Sequence, residues 1–218
     1  MTPDHVRAAT RAERSALADL VETFTPQQWA TPSLCEAWTV RHVVAHLTTT
    51  TRTGLGGLVA EVVRARGSFD RMEQRLAQRL VDRHDDAALV ALLRGSASSD
   101  RRVPMSGVMD PLMDVVVHAQ DVARPLGLVH ETPPEVVAAC LAHVAGNRFM
   151  GGPARLAGVR LESDDTGLTH GGGATLRGRD VDLLLVAAGR RAGLDALRGP
   201  GRAVLGARLP AAASPPGG

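Results

Sequence analysis

The sequence predicts a mainly α chain, with an up-down helical bundle over residues 1–150, a small α+β domain over 151–210 and a disordered tail over 211–218. Three observations carry that division. Apolar residues recur at helical spacing in successive segments before residue 150, which is the pattern of helices packed around a shared core. The composition changes at Gly151-Gly152-Pro153, after which short apolar stretches alternate with glycine-rich turns. The last eight residues contain only Ala, Ser, Pro and Gly, too little apolar surface to order them.

Pro3 and Asp4 open the first helix, with Leu17, Leu20, Val21 and Phe24 at helical spacing, and Thr25-Pro26 closes it. Thr39 is a plausible N-cap for a long second helix through Val40, Val43, Val44 and Leu47 toward Val62 and Val63, weakened in its middle by Gly54, Gly56 and Gly57. Asp70 begins a third, with Met72, Leu76, Leu80 and Val81 on one side. A short helix around Leu89 to Leu93 stops at Gly95, and a loop runs to Gly107. Pro111 opens a strongly apolar helix to about Leu126, and Pro133-Pro134 starts the next, through Val136, Val137, Leu141 and Val144. Beyond the break, Gly158 to Ser163 reads as a strand, Gly171-Gly172-Gly173 as a turn, Ala174 to Leu176 as a partner strand, and Val181 to Gly189 as an apolar helix preceded by Asp180.

The chain has neither Lys nor Ile, so every basic side chain is Arg and the core is built from Leu, Val and Ala. A formal net charge of only +2, with Arg residues at helix-face spacings such as Arg71, Arg75 and Arg79, argues against nucleic acid as a partner. Two cysteines, Cys35 and Cys140, cannot supply a disulfide framework or a four-cysteine zinc site, which fits a reducing cytoplasm. No apolar run reaches the roughly 18 residues of a membrane span. The expectation is a cytoplasmic protein, monomer or homodimer, with no nucleic-acid or membrane partner.

The residues that could carry chemistry sit in apolar helices. Asp114 and His118 are one turn apart on the helix opened by Pro111, separated by Val115, Val116 and Val117. A carboxylate and an imidazole in such surroundings are costly to bury unless paired or bound to a metal. Spacing alone is equally satisfied by a helix-stabilising pair. A third ligand has to come from another helix. His46, within Val43-Val44-Ala45-His46-Leu47, is the candidate, and His42, one turn earlier, competes with it. Asp121, three residues after His118, shares the same face as an outer acceptor that orients a ligand, or else as the partner of a nearby Arg. Cys35 precedes a helix N-terminus, where a thiolate is stabilised, and reads more simply as a structural thiol. Cys140 reads as core, and Trp29 and Trp38 as pins for the loop between helices. No serine sits in a nucleophile-elbow pattern, which argues against serine hydrolysis.

The run from Trp29 through Cys35-Glu36-Ala37-Trp38-Thr39-Val40-Arg41-His42 to His46-Leu47 resembles the N-terminal signature of the mycothiol-dependent maleylpyruvate isomerase family. Asp114-Val115-Val116-Val117-His118-Ala119-Gln120-Asp121-Val122-Ala123-Arg124-Pro125-Leu126-Gly127 resembles that family's second signature. The resemblance implies a DinB-like four-helix bundle with a metal between its helices, and a small C-terminal domain of sterol-carrier-protein character from about Gly158 to Leu209. It places the metal ligands on His46, Asp114 and His118. Two positions depart from the family pattern: Asp114 stands where the family's typical enzymes have Glu, and His42 where an acidic residue is usual.

Two imidazoles and one carboxylate suit a catalytic divalent ion, zinc first and nickel second, with a position left for water or substrate. The resemblance implies mycothiol as thiol co-substrate and a small electrophilic substrate, in an isomerase or a thiol transferase. The rival reading is a non-catalytic metal- or ligand-binding regulatory protein on the same fold.

Overall fold

The computed structural model describes residues 1–52, 69–99 and 106–210, which fall into two compact units, Met1–His130 and Glu131–Gly218. The extension of the second helix toward Val63, most of the stretch between Gly95 and Gly107, and the tail over 211–218 lie outside the described residues.

In the first unit α1 (Pro3–Glu22) starts at Thr2, whose side chain accepts from His5 N, and the adjacent Pro has no amide hydrogen to leave unsatisfied. Its inward stripe is Val6, Leu17, Ala18 and Val21. Thr25-Pro26, read as a stop, also starts α2 (Pro26–Ala30): Thr25 and Gln28 form a reciprocal capping box, so a five-residue helix persists where propensity alone would be marginal. It delivers Trp29 to the core, edge-on to Phe24 with ring centroids 6.0 Å apart. The loop that follows closes on itself through a Pro32–Thr39 bridge and passes Ala37 in the left-handed region, φ 63°.

α3 (Val40–Arg52) buries Val40, Val43, Val44 and Leu47 almost completely. It packs against α4 (Phe69–Arg83), α5 (Asp86–Ser96) and α6 (Asp110–Ala123), while α1 packs on α5 and α6. Asp85 caps α5 by accepting from Ala88 N at 2.8 Å, and that helix continues one residue past Gly95, because a single glycine costs only about 1 kcal/mol in a helix that packing holds. Every residue of α6 from Val115 to Ala123 is buried. A 3-10 turn, Arg124–Leu126, ends it at Gly127, φ 65°. The polar residues His118, Gln120 and Asp121 are thereby carried into a Leu/Val/Ala interior.

In the second unit α7 (Pro134–Gly146) packs against α9 (Asp180–Ala187), and α8 (Gly152–Arg155) follows α7 directly. The units divide at His130/Glu131 rather than at the composition break near 150, because the apolar face of α7 is covered by α9. Gly152 sits against the backbone of α7, where a Cβ would collide with the Val144 carbonyl oxygen. The sheet runs in the order β2 (Thr169–Gly171), β1 (Val159–Ser163), β3 (Ala174–Gly178), with β1 antiparallel to β2 and parallel to β3, Leu161 standing opposite Leu176. The glycine run read as a turn thus includes the end of an edge strand. A second 3-10 turn, Arg191–Ala196, and α10 (Gly201–Gly206) complete the unit. The described residues are mainly helical with one small three-stranded sheet. Among the described residues no helix is long and apolar enough to cross a membrane.

Candidate metal centre

His46 is the seventh residue of α3, flanked by fully buried Ala45 and Leu47. Asp114 and His118 come from successive turns of α6, and the packing of α3 on α6 brings the three together. His46 Nε2 lies 3.5 Å and His118 Nε2 3.4 Å from the same oxygen, Asp114 Oδ1. The imidazoles meet edge to face with centroids 4.9 Å apart, and one donor atom from each of the three residues lies within 4.8 Å of the other two. The spacing reading that left Asp114 and His118 as a simple helix pair therefore omits a third group: both imidazoles address one carboxylate.

The opposite edge of each ring also faces a carboxylate. His46 Nδ1 is 2.6 Å from Glu73 Oε2 of α4, and His118 Nδ1 is 2.8 Å from Asp121 Oδ2. Asp121 is fully buried and also accepts from the Cys35 thiol at 3.1 Å. Cys35 Sγ in turn lies 3.7 Å from His118 Nδ1. The loop before α3 thus reaches the back of the cluster, and Leu34 N donates to the Asp121 carbonyl at 3.2 Å. Trp38 lies against both imidazoles, with centroids 5.1 Å from His46 and 6.5 Å from His118. Its place on the rings goes beyond the loop-pinning role read from the sequence.

His42 is directed elsewhere. Its Nδ1 is 2.8 Å from Thr39 Oγ1 and its Nε2 3.0 Å from Gln78 Oε1, so it ties the start of α3 to α4. The competition between His42 and His46 is decided by helix face, since four residues at 3.6 per turn leave an angular offset that only the packing partner resolves. Glu73 escaped the sequence reading altogether; in Arg71-Met72-Glu73-Gln74-Arg75 it has the look of one more charged residue on an amphipathic helix.

Burial disfavours the charged form of each group, and mutual attraction overturns it. Burial pulls the His46 imidazole down, but Asp114, with help from Glu73, raises it to about 8, against opposition from His118. His118 is likewise held well above the ordinary histidine value despite burial, by Asp114, Asp121 and Cys35. Burial pushes Asp114 up, and the two imidazoles bring it well below the carboxylate range. Without an ion the cluster is a charge-paired network; an ion would take the place of the protons.

The donor set fits a divalent metal on its own terms. Each ring has its Nδ1 turned to a carboxylate acceptor and its Nε2 toward the Asp114 oxygen, the arrangement by which outer carboxylates fix the tautomer of ligating histidines.

Residues 10–104 match the family described as the mycothiol maleylpyruvate isomerase N-terminal domain. That match covers the N-terminal part of the chain, somewhat less than half of its length. The matched segment contains Cys35, His46 and Glu73, while Asp114, His118 and Asp121 lie beyond its end. The fold is similar to the crystal structure of the mycothiol-dependent maleylpyruvate isomerase, at a TM-score of 0.62 and 18% identity over 92% of this chain and 93% of that one. A second crystal structure, of a histidine-to-alanine mutant of that isomerase, is similar at a TM-score of 0.62 and 17% identity over the same shares. No curated protein matches the chain. At these identities the two structures speak to the fold alone.

Proposed function

We propose that this chain is a metal-dependent enzyme of the mycothiol maleylpyruvate isomerase family, holding zinc on His46, Asp114 and His118. With mycothiol as its thiol co-substrate, it isomerises a small electrophilic substrate or transfers the thiol to it. The observation that carries the reading is the double-sided placement of both imidazoles, Nε2 toward Asp114 and Nδ1 against Glu73 or Asp121. A closed structural zinc site uses four protein ligands, whereas three leave a position for an exchangeable one. Nickel would suit the same donors.

When bound, the metal would supply Lewis acidity that lets a coordinated thiol lose its proton near neutral pH. The residues of the chain do the rest. Asp121 accepts from His118 Nδ1 and Glu73 faces His46 Nδ1 at 2.6 Å, which keeps the Nε2 lone pairs of both rings on the Asp114 side. Cys35 donates to Asp121 and holds that carboxylate in place behind His118. The Trp38 indole, packed on both rings, shields them from water. Asp114 carries one methylene less than Glu, so its carboxylate reaches less far from α6, and α3 must approach α6 closely for His46 to meet it at 3.5 Å.

The test is elemental analysis of protein purified without added metal, followed by assays of maleylpyruvate isomerisation and of thiol consumption with mycothiol and reactive electrophiles. Stoichiometric zinc or nickel with mycothiol-dependent turnover is expected. Bound metal with no turnover would make the chain a binding or regulatory protein on this fold, and no metal at all would reduce the cluster to an ion-pair network.

A further inference from the structure

Arg14 is a charged residue in the bundle interior that the metal cluster does not use. It sits on the inward stripe of α1 with 2% of its surface exposed. Its Nη1 donates to the Ser96 carbonyl at the C-terminal end of α5, 2.9 Å away. That contact occupies one of five guanidinium N–H donors. Nε is buried with no hydrogen-bond partner, and among the described residues no carboxylate pairs with the group. Its sequence neighbour Glu13 does not serve: that carboxylate faces His130 Nε2 at 3.0 Å.

Capping the last turn of α5 is a sufficient reason for a donor at this position, but not for a buried fork with its charge unpaired. A guanidinium taken out of water is costly unless an anion meets it. Burial does lower the proton affinity of Arg14, and the charge that counters this effect is Asp114. α1 packs directly on α6, the helix that carries Asp114 and His118, and no ion pair joins Arg14 to Asp114.

We propose that Arg14 is the carboxylate-recognition residue of the site, its guanidinium receiving a carboxylate of a small acidic ligand held beside His46, Asp114 and His118. A planar fork with free donors matches a carboxylate bidentately, which a helix cap does not require. The proposal rests on the enzymatic reading only for naming the ligand as a substrate; the anion subsite itself is independent of turnover.

The experiment is calorimetric titration of maleate, and of its neutral diamide, into the metal-containing protein as purified and into Arg14→Gln and Arg14→Lys, with metal content checked in each. Gln keeps a donor for the Ser96 carbonyl and loses the charge. Maleate affinity is expected to fall at least about tenfold in Arg14→Gln, with part regained in Arg14→Lys, while diamide binding is unchanged; tenfold is the loss of one charge-assisted hydrogen bond. Equal maleate affinity in parent and Arg14→Gln, or no maleate binding to the parent, overturns the proposal even if the parent turns over. Arg14-dependent maleate binding without turnover sustains the subsite and sinks the isomerase reading alone. If Arg14→Gln does not fold, the parent decides: a protected Arg Nε–H resonance that shifts on adding maleate supports the subsite, and Nε–H resonances that all stay in place overturn it.

Discussion

Glu73 Oε2 and His46 Nδ1 lie 2.6 Å apart, a contact between α4 and α3 that stands behind the first of the three converging side chains. Both side chains are nearly buried, so the carboxylate is placed by packing and not by chance on a surface. Replacing Glu73 by Gln keeps the shape and an amide oxygen beside Nδ1 but removes the negative charge that holds the ring proton there. The expected result is a loss of metal affinity of roughly 10–100-fold with the fold intact, as outer partners of ligating histidines typically show. Competition titration with a chromogenic chelator measures it, and an affinity equal to the parent would leave Glu73 a plain ion-pair partner.

On the other side of the cluster the roles separate by distance from Asp114. His118→Ala removes one of three donors, so purified protein should retain little metal and no thiol-dependent activity, while the helices persist because the core around α6 is Leu, Val and Ala. Asp121→Asn should be milder, again on the order of 10–100-fold in metal affinity. Metal content by mass spectrometry and circular dichroism on the two variants separate these outcomes. An Asp121→Asn protein with parental metal affinity and turnover but a lowered melting temperature would assign Asp121 to stability alone.

His46, Asp114 and His118 were legible because imidazole and carboxylate stand out in apolar helices at turn spacing, and the two signatures around them are specific. What was not legible depends on contacts between elements. Glu73 is one of several charges on an Arg-rich amphipathic helix, and nothing local distinguishes the one that faces α3. His42 and His46 have the same spacing signal, and only the partner helix shows that His42 turns to Gln78. The helix that begins at Pro134 is apolar on more than one face, so its sequence could not say that α9 would cover it. β2 is a three-residue edge strand, Thr-His-Gly, below the length at which alternation can be read.

The raised pKa of His46 makes the metal-free protein sensitive to base. Its folded value of about 8 lies above the ordinary 6.5, so the stabilisation is complete below about pH 6.5 and is lost as pH rises through 8. A shift of that size corresponds to about 2 kcal/mol, and His118, raised in the same direction, adds to it. Asp114 acts on the acid side, stabilising above its ordinary value and losing that contribution as pH falls. Urea unfolding of chelator-treated protein should therefore show stability declining between about pH 6.5 and 9. A bound metal displaces these protons, so added zinc should flatten or reverse the decline. A metal-free protein whose stability is level across that window would contradict the charge-paired arrangement.

The loop that carries Cys35 and Trp38 to the cluster contains the one non-glycine residue with positive φ among the described residues, Ala37 at 63°. An L-residue with a Cβ pays roughly 1 kcal/mol or more to sit there, and Ala has no side-chain hydrogen bond with which to offset it, unlike Asn or Asp. The conformation is imposed from both sides: Ser33 N donates to the Trp38 carbonyl at 2.9 Å, and Trp38 N to the Cys35 carbonyl at 3.1 Å. Ala37→Gly removes the steric cost in the folded state and adds freedom to the unfolded chain, where glycine costs about 0.4–1 kcal/mol. The folded-state relief should prevail, giving stability equal to the parent or up to about 1 kcal/mol higher. Because Trp38 follows directly and lies 5.1 Å from the His46 ring, metal affinity should stay at the parental value if the glycine keeps the same turn. Ala37→Val tests the opposite direction: a β-branched residue is strongly disfavoured at positive φ, so it should destabilise the protein and displace Trp38. Thermal unfolding with tryptophan fluorescence reads both, and an Ala37→Gly protein clearly less stable than the parent would show that this turn is not strained.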